Sequence, residues 1–171
     1  KMSQLDPKRR VVITGLGVVS SIGIGWEEFW KNLLAGKSGI SRLENFDTSG
    51  HDRHFAGEVK ADFTKFLKKN VLKKYGRTSQ MALAASEMAL NDAGILTTEN
   101  ICKRTAVCVG TTTGEIGLLE KIDNDYFGES EDDHPYEKMS VFPASNLGAI
   151  IAQELKLQCA NLVFGTACSS G

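Results

Sequence analysis

The chain has 171 residues, of which 42% are hydrophobic and 24% charged, and these values suit one globular domain with a packed core. The formal net charge of −1 gives no overall attraction to nucleic acid or to an anionic membrane surface. No apolar run approaches the length of about eighteen residues that a membrane span needs.

The chain opens with an apolar run over residues 11–19 that ends in glycines, which predicts a buried strand. Gly15 and Gly17 do not complete the G-x-G-x-x-G spacing of a dinucleotide site, so we interpret them as positions of tight turns and close packing. Residues 26–35 predict a core helix, because apolar side chains recur on one face and Gly36 can end it.

Residues 37–59 are predicted to be irregular, because Gly, Ser, Asp and His interrupt any hydrophobic period. Residues 60–77 hold seven cations, a density that forms either a solvated face or a docking patch for an acidic partner. Residues 79–93 predict a helix rich in alanine, with Gly94 as its stop. Small side chains permit close backbone approach, so we expect this helix to be central and buried.

In the second half, residues 106–111 predict a strand that runs into a threonine-glycine loop at 110–115, whose threonines could cap the next helix. Residues 123–137 contain seven acids and no Lys or Arg but lack the ligand order of a calcium loop, so we predict an exposed loop. A helix with one apolar face is expected over 143–155, and a strand over 162–165.

The final ten residues place a cysteine where proteins mount a nucleophile. A buried strand would deliver Cys168 to a tight turn, and we expect a helix to begin just behind it. The helix dipole and the first unpaired backbone N–H groups would favour a thiolate at this point. A structural cysteine at a strand end is the alternative, since free cysteine packs as a small hydrophobe. Small residues on both sides leave access for a substrate and favour the nucleophile.

Strands and helices therefore alternate, which predicts the α/β class, with helices covering a mainly parallel sheet. The four cysteines have no CxxC spacing and stand apart from the three histidines, so we expect no zinc or other metal site. The polar N-terminus lacks a signal peptide, and a cytoplasmic location with reduced thiols is expected.

The cysteine segment reads Thr166-Ala167-Cys168-Ser169-Ser170-Gly171. It resembles the active-site motif of the β-ketoacyl-acyl carrier protein synthases, condensing enzymes of the thiolase superfamily. Four further segments match that family in order and spacing: residues 9–20, 33–41, 45–48 and 55–57. The resemblance leaves residues 1–8 as a tail and implies that residues 9–171 form the N-terminal half of the thiolase-like layered fold. Because family members are much longer, we expect the rest of the domain to lie beyond the nucleophile turn.

The resemblance implies an acyltransferase that needs no cofactor. Cys168 would take an acyl group from an acyl carrier protein, with its own backbone N–H as one oxyanion donor. The acyl-enzyme would then condense with malonyl carrier protein by decarboxylation, in fatty acid or type II polyketide-like biosynthesis. In the family this step uses two histidines and a lysine from beyond the nucleophile. We therefore expect these 171 residues alone, without the C-terminal half, to be inactive.

The resemblance also assigns binding residues. Thr113 takes the position that limits the depth of the acyl pocket, and Phe142 falls near the pocket wall. Fatty-acid synthases of this type often carry glycine or an aliphatic residue at the first position, so threonine is a departure. Lys73 and Lys74 match the basic surface that docks the acidic acyl carrier protein. A homodimer, or a heterodimer with a related synthase chain, is expected, with no nucleic acid and no membrane span.

Three other functions remain open from the sequence. A starter-unit synthase that uses acyl-CoA belongs to the same superfamily. A non-catalytic half that only binds a partner would have an unreactive Cys168, although retention of this cysteine argues against a chain-length-factor partner. A nucleotide-binding α/β domain rests on Gly15 and Gly17 alone.

Overall fold

The computed structural model describes residues 10–95, 99–127 and 143–170. The strands within these ranges are β1 (Val19–Ser20), β2 (Gly23–Ile24), β3 (Ser41–Arg42), β4 (Phe55–Ala56), β5 (Val107–Gly110) and β6 (Asn161–Phe164). The α-helices are α1 (Trp26–Leu34), α2 (Lys69–Lys74), α3 (Arg77–Asp92), α4 (Glu99–Arg104), α5 (Ile116–Phe127) and α6 (Asn146–Glu154). Two 3₁₀ turns cover Phe63–Lys65 and Ala167–Ser169.

The centre of the fold is α3, which lies where the alanine-rich segment predicted a buried helix. Leu83 is 1% exposed and Ala84 is fully buried on this helix. Helix α3 packs against α6, and α6 packs in turn against both β5 and β6. Burial of each large aliphatic side chain in such a core stabilises the fold by about 1.5–3 kcal/mol. The buried cluster comprises Phe63, Leu67, Val71, Tyr75, Leu83, Ala84, Val107, Ile150, Ile151 and Ala152.

Strands β5 and β6 form a parallel pair in which Val107 faces Asn161 and Gly110 faces Phe164. The connection between two parallel strands must cross over, and here it contains α5 and α6. The predicted strands, the helix between them and the α/β class are confirmed. The other two ladders in the described ranges are antiparallel pairs of two-residue strands, β1 with β2 and β3 with β4. No helix in these ranges is long and apolar enough to cross a membrane.

The prediction of a buried strand over residues 11–19 is wrong. Only the last residue of that run enters a strand, and Val11 and Ile13 are 93% and 84% exposed. The segment instead lies across α3, where a Cβ at Gly17 would come within 2.7 Å of the Ala85 carbonyl carbon. Its glycines pack closely, as interpreted. No described strand pairs with residues 11–18, and Val12 is also largely exposed, at 63%.

Helix α1 forms as predicted, but it is not a core helix. It contains no buried residue, and Trp30 and Leu34 are 54% and 70% exposed. Gly36 ends the helix with a φ of +65°, a left-handed conformation that glycine adopts without strain. The amphipathic pattern therefore identified the helix correctly, whereas no described element covers its apolar face.

Two predicted irregular regions contain regular structure. Residues 37–59 include the β3–β4 hairpin, in which Ser41 faces Ala56. The carboxylate of Glu58 accepts hydrogen bonds from two backbone amides in the 41–56 connection, which holds the hairpin together. Asp123 belongs to α5 and not to an exposed loop, and residues 128–137 of the acidic stretch lie outside the described ranges.

Candidate active site

Cys168 lies at the centre of a tight turn that follows β6. The strand ends at Phe164, and the 3₁₀ turn Ala167–Ser169 presents the Cys168 thiol as an exposed group. Ala167 has a φ of +52°, a left-handed conformation that is uncommon for a residue with a side chain. The strand and the turn are confirmed. The helix expected behind the cysteine would lie beyond residue 170, outside the described residues, and stays a prediction.

The hydrogen bonds inside the turn do not involve the backbone amide of Cys168. The Ser169 and Ser170 amides donate to the carbonyls of Thr166 and Ala167 at 3.2 and 3.1 Å. The two serine hydroxyls donate to the same carbonyls. The Cys168 amide forms no hydrogen bond within residues 10–95, 99–127 and 143–170. An accessible thiol and an unpaired N–H therefore stand on the same residue, which is the pairing that acyl transfer requires.

The end of β5 lies directly against this turn. A Cβ at Gly110 would come within 2.9 Å of the Ser170 carbonyl carbon, so only glycine allows the two backbones to approach this closely. The Thr111 amide donates to the Phe164 carbonyl at 3.1 Å, which extends the ladder by one bond. The threonine-glycine loop and the cysteine thus leave the same edge of the parallel pair, where α/β proteins bind ligands.

The threonine-glycine loop is closed by its own hydrogen bonds. The Thr111 hydroxyl accepts from the Gly114 amide at 3.1 Å, and Gly114 has a φ of +69°. Thr111 therefore closes the loop and does not cap α5, contrary to what the sequence suggests for the threonines. The Leu118 and Leu119 amides of α5 donate to the Glu115 carbonyl. Thr113 is exposed near the crest of this loop, at the same edge of the pair as Cys168. Phe142, the other predicted pocket residue, lies outside the described ranges.

Glu115 is a residue that the sequence interpretation missed. It is only 3% exposed, and its carboxylate accepts hydrogen bonds from the Ser79 amide at 2.6 Å and the Thr78 amide at 3.2 Å. These amides belong to the first turn of α3, where Gly76 offers no capping side chain. A lone acid directly after Gly114, in a loop otherwise made of small residues, was the available signal.

The basic segment of residues 60–77 divides into paired and unpaired cations. Lys60 pairs with Glu44 at 2.8 Å. The Arg77 guanidinium donates to two backbone carbonyls and lies 4.3 Å from the Phe63 ring centroid, so it fastens α3 to the preceding loop. Four lysines are exposed and form no ion pair within the described ranges: Lys65, Lys68, Lys69 and Lys73.

The two lysines predicted to dock a carrier protein differ in their surroundings. Lys73 is one of the four exposed, unpaired lysines. Lys74 lies 3.7 Å from the Glu154 carboxylate and 4.6 Å from the Tyr75 ring centroid. Interaction with the Tyr75 side chain, and then with Glu154, raises the pKa of Lys74. Burial, reinforced by the hydrogen bond from its hydroxyl to Glu154 at 2.7 Å, raises the pKa of Tyr75. Lys74 is thus tied to α6, and Lys73 is not.

A family model for the N-terminal domain of β-ketoacyl synthases matches residues 8–171. The chain belongs to this family. It is 34% identical over 171 residues to a 3-oxoacyl-[acyl-carrier-protein] synthase 2 of Vibrio harveyi, covering 96% of this chain and 40% of that one. It is 46% identical over 86 residues to the tetracenomycin polyketide synthase ketoacyl synthase beta subunit of Streptomyces glaucescens, which covers 50% of this chain and 21% of that subunit.

Solved structures of ketosynthases have the same fold as this chain. The ishigamide ketosynthase/chain length factor matches 95% of this chain and 41% of its own, with a TM-score of 0.80 and 36% identity. A type II polyketide ketosynthase in complex with its acyl carrier protein matches 95% of this chain and 39% of its own, with a TM-score of 0.72 and 30% identity. The thiolase-like α/β fold is thereby confirmed. The chain spans about 40% of the length of the Vibrio relative.

Proposed function

We propose that this chain forms the nucleophile-bearing part of a β-ketoacyl-acyl carrier protein synthase in fatty acid or type II polyketide-like biosynthesis. The observation that carries the proposal is the exposed Cys168 thiol at the end of a parallel strand pair, on a residue whose own amide forms no hydrogen bond within the described ranges. The family match, and relatives named as 3-oxoacyl-acyl carrier protein synthases, support the same reaction.

In the first step the Cys168 thiolate attacks the thioester carbonyl of an acyl carrier protein. A bond forms between Sγ and the acyl carbon, while the pantetheine sulfur leaves and takes up a proton. Negative charge develops on the carbonyl oxygen, and the Cys168 N–H is available to stabilise it. Loss of CO₂ from malonyl carrier protein then supplies a carbanion that attacks the acyl-enzyme carbonyl. The lengthened product leaves and Cys168 is a thiolate again.

The acyl chain would extend past the threonine-glycine loop. Thr113 follows β5 by three residues and is exposed at the edge where Cys168 emerges from β6. We assign Thr113 as a wall of the acyl pocket because its side chain occupies volume that a glycine would leave open. Phe142 remains assigned to the same wall.

The basic segment would receive the acidic carrier protein. Its four unpaired lysines are exposed and lie close together in the chain, within residues 65–73. Such a density of positive charge steers an oppositely charged partner by long-range attraction. Within the predicted docking pair, Lys73 is available for this contact, whereas Lys74 would first have to exchange its interaction with Glu154. One solved relative is a ketosynthase in complex with its acyl carrier protein.

A second synthase chain is the other proposed partner. Another solved relative is a ketosynthase/chain length factor. Among the described residues β6 pairs with β5 alone, and its side chains Leu162 and Phe164 are each 50% exposed. An unpaired, apolar strand edge of this kind is suited to pairing with another chain. Either a homodimer or a heterodimer would cover it.

Mass spectrometry of the intact full-length protein tests the nucleophile. After incubation with an acyl carrier protein donor, we expect one acyl adduct, on the peptide that contains Cys168. Cys168→Ser should abolish the adduct, while Cys159→Ser, which also alters an exposed cysteine, should keep it. Acylation by acyl-CoA in preference to the carrier protein would identify a starter-unit synthase, and no adduct with either donor would contradict the proposal.

Charge reversal tests the docking surface. Lys73→Glu should lower the second-order rate constant of acylation by about three- to tenfold at low salt, and the deficit should shrink as salt screens the attraction. Lys37→Glu makes the same change of charge outside the basic segment and serves as the control. An acyl-pantetheine donor, which lacks the carrier protein, should react equally with all three proteins. Equal carrier-protein rates at low salt would show that Lys73 is not part of the docking surface.

A further inference from the structure

Glu115 is a buried carboxylate, with 3% of its surface exposed. Removing a carboxylate from water is costly unless hydrogen bonds and a favourable field compensate. Both are present, since two backbone amides donate to it and the positive end of the α3 dipole faces it. The carboxylate also requires Gly76, because a Cβ there would lie 2.8 Å from the Glu115 Cδ.

Capping a helix with a buried carboxylate from another segment costs more free energy than capping it with a local side chain. Serine or aspartate at the N-cap position of α3 would satisfy the same amides locally, without burying a charge. The N-cap residue is instead glycine, and the acceptor comes from Glu115, thirty-six residues beyond Ser79. The arrangement joins two distant segments, which a local cap cannot do.

The segment that Glu115 joins to α3 is the threonine-glycine loop. The Thr78 hydroxyl donates to the Gly114 carbonyl at 3.1 Å, beside the bond from the Thr78 amide to Glu115. On its other side Gly114 touches residue 144, because a Cβ at Gly114 would lie 2.8 Å from the Ala144 Cα. The base of the loop is thus held between α3 and the turn that precedes α6, while Thr113, the residue before Gly114, is exposed.

We propose that Glu115 is a positioning residue that fixes the loop bearing Thr113, and through it the depth of the acyl pocket. This inference rests on the proposed function. With the carboxylate in place, the loop has one position and Thr113 limits the length of the acyl chain. Without it, the loop retreats and longer chains fit better.

The test compares Glu115→Gln and Glu115→Ala with the wild type in the full-length protein. Glutamine keeps one carbonyl acceptor and the side-chain volume, so this variant retains the core if the alanine variant does not fold. Glu120→Gln, an exposed change on α5, the helix that begins directly after Glu115, is the matched control. Two quantities are measured: deuterium uptake of the loop amides, and the ratio of Cys168 acylation rates for tetradecanoyl and hexanoyl carrier proteins.

We expect faster deuterium uptake at residues 111–119 in both Glu115 variants. The long-to-short rate ratio should rise by about fivefold or more in Glu115→Ala, a change within what altered pocket contacts produce, and by less in Glu115→Gln. Iodoacetamide should alkylate Cys168 at the wild-type rate, because the turn after β6 is untouched. The control should match the wild type throughout.

Two failures are distinguishable. If wild-type Cys168 accepts no acyl group, both the proposed function and the pocket role of Glu115 are contradicted. If the wild type is acylated but the rate ratio is the same in the Glu115 variants, only the role of Glu115 is overturned, whether or not deuterium uptake changes. A ratio that shifts equally in Glu120→Gln would also overturn it, because the effect would then follow from charge alone.

Discussion

Replacing Gly110 with alanine tests whether the end of β5 holds the nucleophile turn in position. A Cβ at residue 110 would lie 2.9 Å from the Ser170 carbonyl carbon and closer still to its oxygen. Ordinary contact begins at 3.4 Å, so the two backbones must separate by at least 3.4 − 2.9 = 0.5 Å. The obstructing atoms are backbone and cannot rotate away, so the displacement passes to the turn that carries Cys168.

The expected cost follows from that displacement. Overpacking of this kind destabilises a protein by about 1–3 kcal/mol. A reacting group misplaced by about 1 Å loses about a hundredfold in rate, so a shift of at least half that size should slow acylation about tenfold or more. The assay measures the rate of Cys168 acylation by a carrier-protein donor, together with the melting temperature.

The matched control is Gly117→Ala, at a helical glycine of α5 whose added Cβ meets no atom within 4 Å. Alanine in a helix interior is favoured over glycine by about 1 kcal/mol, so this variant should melt at or above the wild-type temperature and acylate normally. Wild-type acylation and melting in Gly110→Ala would refute the reasoning, because the turn would then not depend on β5.

Two further predictions concern stability. Gly17→Ala should lower the free energy of unfolding by about 1–3 kcal/mol, because its Cβ would press on the Ala85 backbone of α3. Urea unfolding measures the loss, and Gly50→Ala, whose Cβ meets nothing within 4 Å, should show none. Hydrogen bonds from the Thr64 amide and hydroxyl lower the pKa of Asp62. Its carboxylate therefore stabilises the fold at pH values above the ordinary aspartate pKa, and this stabilisation is lost as the pH falls through the lowered pKa of the folded state. Melting curves from about pH 6 to about pH 2 should therefore place the wild type above Asp62→Asn near neutrality and bring the two together in acid, whereas a constant gap would contradict this.

Local sequence signals predicted the regular elements with strong patterns. Alanine-rich residues 79–93 and the apolar face of residues 143–155 lie in α3 and α6. Glycine stops were also correct, since Gly36 and Gly94 both adopt left-handed conformations after their helices. These features depend on neighbours a few residues away, which is why a single sequence contains them.

Burial was harder to predict, because it depends on which surfaces meet. The apolar face of α1 and the apolar run of residues 11–19 carry the composition of core elements, yet both are largely exposed within the described ranges. An amphipathic pattern records that a face can be covered, but it does not record which element covers it. The four unpaired lysines and the three engaged cations of residues 60–77 were likewise indistinguishable in sequence, since their partners are brought close only by folding.

By itself, the sequence determined the α/β class, the family and the placement of Cys168 after a strand, because strand and helix periods and a nucleophile motif are local. Only the tertiary structure showed that Gly110 backs the nucleophile turn and that Glu115 caps α3 from thirty-six residues beyond Ser79. Both contacts join segments that are far apart in the chain. Such contacts are chosen by the packing of α3, α6 and the β5–β6 pair around one core, and no local pattern encodes that packing.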